Sequence, residues 1–230
     1  MSRIPDSIKY YKQGVIPPPL FSSTLTMPWS ARILQKFRML PIKPSETDLK
    51  IPYTWLLNSI FPNTANYTVV QSYKPPPSRE LAEFLVLYEV KHEDKPVMVL
   101  ELKPPRDFAD LTKRRLADEQ IRERIELLRG TSYYAIIYHY DANKTCMFIE
   151  TCPLPTLHAV SAFGTKICYY KSCKGNPSIL ADPRLQTEKV PRACWDTDIL
   201  EEDGVKRFKG VTSEIKSMID SLKTASGHSQ

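Results

Sequence analysis

The chain has 230 residues, of which 42% are hydrophobic and 25% charged, an ordinary globular composition with enough apolar matter for one sizeable core. Its formal net charge of +6 comes from Lys and Arg scattered along the chain, which permits a polyanionic partner such as DNA or RNA without demanding one. No apolar run nears the ~20 residues that span a bilayer, no signal core follows Met1, and the five cysteines include no Cys-x-x-Cys pair, so we expect reduced thiols, no zinc site, no membrane, and an intracellular protein, cytoplasmic or nuclear.

Residues 1–44 read as a Pro-rich irregular arm, broken by Pro17-Pro18-Pro19, Pro28, Pro41 and Pro44 and suited to draping over the core or meeting a protein partner. Ser45 followed by Asp48 resembles a helix cap, and Leu49, Trp55, Leu56, Leu57, Ile60 and Phe61 then line one helical face before Pro62, with Pro52 as a complication. Tyr67 to Tyr73 is rich in Thr, Val and Tyr and predicts a strand, followed by a Pro75-Pro76-Pro77 loop. Glu83 to Val90 and Val97 to Lys103 predict a hairpin around the polar turn from Lys91 to Pro96.

Asp107 and Asp110 can cap a helix running to about Arg129, with Gly130 placed to end it. Ala117, Ile121, Ile125 and Leu128 form its apolar stripe, Leu116, Gln120 and Leu127 flank that stripe, and Arg114, Arg115, Arg122 and Arg129 fall on other faces. Tyr133 to Tyr140 with Thr145 to Glu150 predicts one further hairpin; Leu157 to Ser161 with Lys166 to Tyr170 predicts another around Phe163-Gly164. A Pro-containing connection from Lys171 to Trp195 leads to a final amphipathic helix striped by Val205, Phe208, Val211, Ile215, Met218, Ile219 and Leu222, with 223–230 as a disordered tail.

The segment Val97 to Pro105 carries the most chemistry. Side chains alternate along a strand, so Glu101 and Lys103 project to one face while Met98, Leu100 and Leu102 point to the other, and Pro104-Pro105 stop the pairing so that the charged pair sits at the strand's rim. A carboxylate beside an amine can hold a metal ion next to a cation; it can equally be a surface ion pair. His92, His139, His158 and His228 show no His-x-x-x-His spacing, and the chain has no Gly-x-Ser-x-Gly elbow or phosphate-cradling glycine loop, which argues against serine hydrolases and nucleotide-driven enzymes.

In the order of its elements and in Pro52-Tyr53, Leu56-Leu57-Asn58, Glu83-Phe84, Glu101-Leu102-Lys103-Pro104-Pro105, the run from Ala117 to Arg124, the run from Ser161 to Thr165 and the run from Leu200 to Gly204, the chain resembles the PD-(D/E)xK superfamily. Within it, the chain resembles an uncharacterised group of fungal proteins. The resemblance covers residues 45–222 and implies an α/β (α+β) restriction-endonuclease-like core, a mixed central sheet flanked by helices. It implies Glu83 and Glu101 on a divalent cation, Mg2+ or Mn2+, with the backbone carbonyl of Leu102 as a third oxygen, and Lys103 and Gln120 placing the attacking water. Glu46 or Asp48 stands where some relatives carry an extra acid.

Phosphodiester cleavage in DNA or RNA follows from that site, with Arg114, Arg115, Arg122 and Arg124 as polyanion contacts. The chain departs from the superfamily in carrying Glu83 where Asp is usual, which leaves open a catalytically inactive module that binds nucleic acid or protein. It also departs in residues 131–150, either a real extra hairpin or a translated intron.

Overall fold

The computed structural model describes residues 29–72, 86–130, 151–176, 179–181, 190 and 192–227. Helix α1 (Ala31–Arg38) starts at Ser30, whose hydroxyl accepts from the Ile33 amide. Helix α2 (Glu46–Ile60) opens with a reciprocal capping box between Ser45 and Asp48, as the sequence predicts, and carries Pro52 inside it. Leu49, Pro52, Tyr53, Leu56 and Leu57 form its buried face.

Among the described residues seven strands make one sheet: β1 (Tyr67–Ser72), β2 (Val86–His92), β3 (Lys95–Lys103), β4 (Thr156–Phe163), β5 (Lys166–Cys173), β6 (Ile179–Ala181) and β7 (Thr197–Asp198). β1 to β6 lie side by side in chain order, and β7 pairs with β5. All neighbours are antiparallel except β3 and β4, which are parallel. Parallel neighbours need a crossover. Here it includes helix α3 (Leu111–Arg129), entered through a 3-10 turn (Pro105–Ala109), capped by the Asp110 side chain on the Thr112 amide and closed by Gly130. The β2–β3 turn places both Glu93 and Asp94 at positive φ, 50° and 63°, the backbone that a two-residue type I′ hairpin requires.

Register assigns the two faces of the sheet. Glu89, Val99, Glu101, Lys103, Ala159, Ser161, Phe163, Cys168 and Tyr170 share one face. Helix α3 lies over it, with Arg124 paired to Glu89 and Arg122 stacked 5.6 Å from the Tyr170 ring. Tyr88, Met98, Leu100, Leu102, His158 and Tyr169 point the other way. There α2 meets Tyr88, whose hydroxyl donates to the Lys50 carbonyl at 2.8 Å, and helix α4 (Glu202–Gly227) meets His158 and Tyr169 through Glu214 and Arg207. The result is an α+β fold with a mixed sheet flanked by helices, as expected. Among the described residues no helix is long and apolar enough to cross a membrane.

Several sequence readings need correction. Residues 31–38, taken as irregular arm, are helix α1, and Trp29, Ile33, Leu34 and Phe37 belong to the core; Trp29 donates to the Ile199 carbonyl at 2.7 Å. Trp55, assigned to the buried stripe of α2, is 44% exposed, because Tyr53 takes that place and packs edge-on against Phe37 of α1. Helix α4 continues to Gly227, past the expected fraying point, and Leu222 on it is exposed. Arg114 and Arg129, placed off the apolar stripe, are buried all the same. The predicted hairpin within 131–150 and the start of the Glu83 to Val90 strand lie outside the described residues.

Candidate functional site

The site is built on the last turn-free residues of β3. Pro104 cannot extend the ladder, and the chain turns away at Pro105. The rim is tied down from β4: the Gly164 amide donates to the Lys103 carbonyl at 3.0 Å, and the Tyr53 hydroxyl donates to the Gly164 carbonyl at 2.7 Å. Gly164 sits at φ +64°, and a Cβ there would fall 2.9 Å from Pro105 Cβ, so only glycine lets this turn close on the strand end.

Glu101 and Lys103 are nonetheless not an exposed pair. Glu101 is 0% exposed and Lys103 4%. Lys103 Nζ stands 3.2 Å from Glu101 Oε1 as a buried ion pair, while Glu101 Oε2 has no partner. Burial raises the Glu101 pKa to about 7; Lys103 pulls it down, while Glu46 and Glu123 push it up. Those two carboxylates therefore lie within electrostatic reach, Glu46 from the first turn of α2 and Glu123 from α3.

Gln120 precedes Glu123 by one helical turn and is 6% exposed, with no hydrogen-bond partner for its Oε1. Sequence placed it at the edge of the buried face, and it lies buried. Ser161, which sequence reading left out of the site, is the β4 register partner of Glu101. Its hydroxyl is fully buried and has no partner. Neither composition nor spacing could single it out, because the β3–β4 register depends on the crossover.

These unpartnered atoms are all oxygens, the donor type that Mg2+ and Mn2+ take, and to that extent the described residues fit such a cation. Glu83, the second carboxylate implied by the resemblance, lies outside the described residues. Among the described residues no three His, Cys, Asp or Glu side chains converge closely enough to hold a metal. Leu102 sits between strand partners Val86 and Ala162, with its side chain in the core.

The four arginines have divergent placements. Arg114 is buried, its Nη1 donating to the Phe108 carbonyl at 2.8 Å and its Nε to the Val190 carbonyl at 3.3 Å, which corrects its expected role as a surface contact. Arg122 Nε donates to both carboxylate oxygens of Asp118, and Arg124 pairs with Glu89. Arg115 is the exposed one of the four. Compared with known proteins, the chain matches no family model, no curated protein and no solved structure.

Proposed function

We propose that this chain is a restriction-endonuclease-like domain of the PD-(D/E)xK type that hydrolyses phosphodiester bonds in DNA or RNA with Mg2+ or Mn2+. One observation carries the reading: the order α2, β1, β2, β3, α3, β4, with β3 and β4 parallel, delivers Glu101 and Lys103 to the end of the central strand under the crossover helix that bears Gln120. Glu101 would hold the cation, together with Glu83 and the Leu102 carbonyl. A divalent cation at that point offsets charge on the phosphate under attack and acidifies water.

The chain's own groups do the rest. Lys103, an ammonium beside a carboxylate, donates to the attacking water and to the charge that develops on phosphate oxygen. Gln120, able to donate and accept, orients that water from the helix side. Burial excludes bulk solvent, which strengthens each of these interactions.

A second reading, a catalytically inactive nuclease-fold module, is favoured by the same burial: with Lys103 4% exposed, a phosphate must open the rim to reach it. A cleavage assay on supercoiled DNA and single-stranded RNA with Mg2+, Mn2+ or EDTA decides between them, using the full chain, Glu101→Ala and Lys103→Met. Metal-dependent cleavage lost in both variants supports the nuclease. Equal background in all three supports the inactive module.

A further inference from the structure

We infer that Ser161 is a further member of the Glu101 site and that its hydroxyl oxygen helps hold the divalent cation there, an inference that rests on the metal-dependent reading above. The two residues are Cα partners on adjacent parallel strands, so their side chains leave the same face of the sheet from backbones roughly 4.8 Å apart. α3 covers that face, bringing Gln120 Oε1 as another buried acceptor without a partner. Three elements thus each contribute a buried oxygen without a partner, Glu101 Oε2, Ser161 Oγ and Gln120 Oε1, beside the Glu101 Oε1 that faces Lys103.

A fully buried hydroxyl without a partner is costly, and the position does not need one. Ser161's neighbours on the same face of β4 are Ala159 and Phe163, which meet the core with carbon alone. Nor is the hydroxyl used to fix the backbone, since Trp195 Nε1 does that by donating to the Ser161 carbonyl at 3.1 Å. Glu101 carries acceptors on the same face of the sheet, yet Ser161 does not donate to it. Buried oxygens on one sheet face that leave one another unbonded are suited to a shared third body, and hard oxygen donors beside a carboxylate suit a hard cation.

The test uses the full chain and Mn2+ as probe. Binding is read from the paramagnetic resonance signal of free Mn2+ for wild type, Ser161→Ala and Glu101→Gln, and each protein is also melted in EDTA. The expected result is stoichiometric binding by wild type, loss in Glu101→Gln, and affinity weakened about tenfold or more in Ser161→Ala. In EDTA, Ser161→Ala should melt at or above wild type, because the group removed has no partner. Wild-type affinity in Ser161→Ala alongside loss in Glu101→Gln overturns the role of Ser161 and leaves the metal reading standing. A lower melt of Ser161→Ala in EDTA assigns the hydroxyl a structural role, perhydration by ordered water included, and overturns it too. Absence of Mn2+ binding by wild type overturns both readings.

Discussion

Lys103 keeps its ammonium 3.2 Å from the carboxylate of Glu101 with both side chains almost fully removed from water, at 5% and 1% exposure. A buried pair of this kind is costly to break and inexpensive to replace whole: losing one partner strands the other's charge, whereas an apolar or neutral pair of similar volume is often neutral or stabilising. Lys103→Met in EDTA should therefore lose about 3–5 kcal/mol at pH 8. The loss should shrink at pH 5, where the carboxyl of Glu101, freed of the cation that lowers its pKa, is protonated in the folded state. The double variant Glu101→Gln with Lys103→Met should recover most of it. Urea melts of the three variants at both pH values check this; a Lys103→Met loss independent of pH would refute it.

Wild-type Glu101 carries its own pH signature. Its folded pKa of about 7 lies above the ordinary 4.5, so the folded state binds more protons between those values. The group's contribution is fully present below pH 4.5 and is lost as pH rises through 7. Glu101→Gln, which cannot titrate, should flatten this part of the stability curve in EDTA, and chemical denaturation from pH 4.5 to 8 reads it directly.

His158 works in the opposite direction. Burial lowers its pKa below the ordinary 6.5; Glu214 at 3.4 Å pulls it back up, and Lys171 and Arg129 lower it further. The unfolded chain then binds the proton more readily, so the contribution is present above pH 6.5 and is lost as pH falls. His158→Asn should remove that acid loss, and Glu214→Gln should steepen it. Thermal melts between pH 5 and 7.5 measure both.

Local chemistry was legible from sequence, and long-range pairing was not. The Ser45–Asp48 box, the Asp110 cap, Gly130 and the Gly164 turn each depend on residues a few positions apart, and each stands where it was read. Trp55 was misplaced because the partner of α2 is α1, a short helix hidden among prolines, which selects Tyr53 for the buried face. Arg129 was read only as lying off the apolar stripe, yet its guanidinium donates to the carbonyls of Leu154, Pro155 and Ser172, which reach it only after the crossover folds back. Glu101, Lys103 and Gln120 were legible as a motif, but their burial and the arrival of Ser161 follow from the β3–β4 register.

Gly164→Ala should cost about 1–3 kcal/mol, since it adds both positive-φ strain and a methyl group 2.9 Å from a proline ring carbon at the rim of the site. Because the same turn supplies the amide on the Lys103 carbonyl, the variant should also lower any cleavage activity more than its melting shift alone explains. Comparing specific activity at a temperature where both proteins are fully folded separates the two effects.

The arginines of α3 separate binding from folding. A side chain that contacts one phosphate contributes about one unit to the slope of log affinity against log salt. Arg115, exposed on the helix, is the one of the four placed to do so. Arg115→Ala should reduce that slope for DNA or RNA by about one with little change in melting temperature. Arg114→Met should do the reverse, leaving the slope unchanged while unsatisfying the carbonyls of Phe108 and Val190, at a cost of about 1–3 kcal/mol for each buried group left unpaired. Fluorescence anisotropy over a salt series, paired with melts of the same samples, distinguishes them; equal slopes in wild type and Arg115→Ala would move the polyanion surface off this helix.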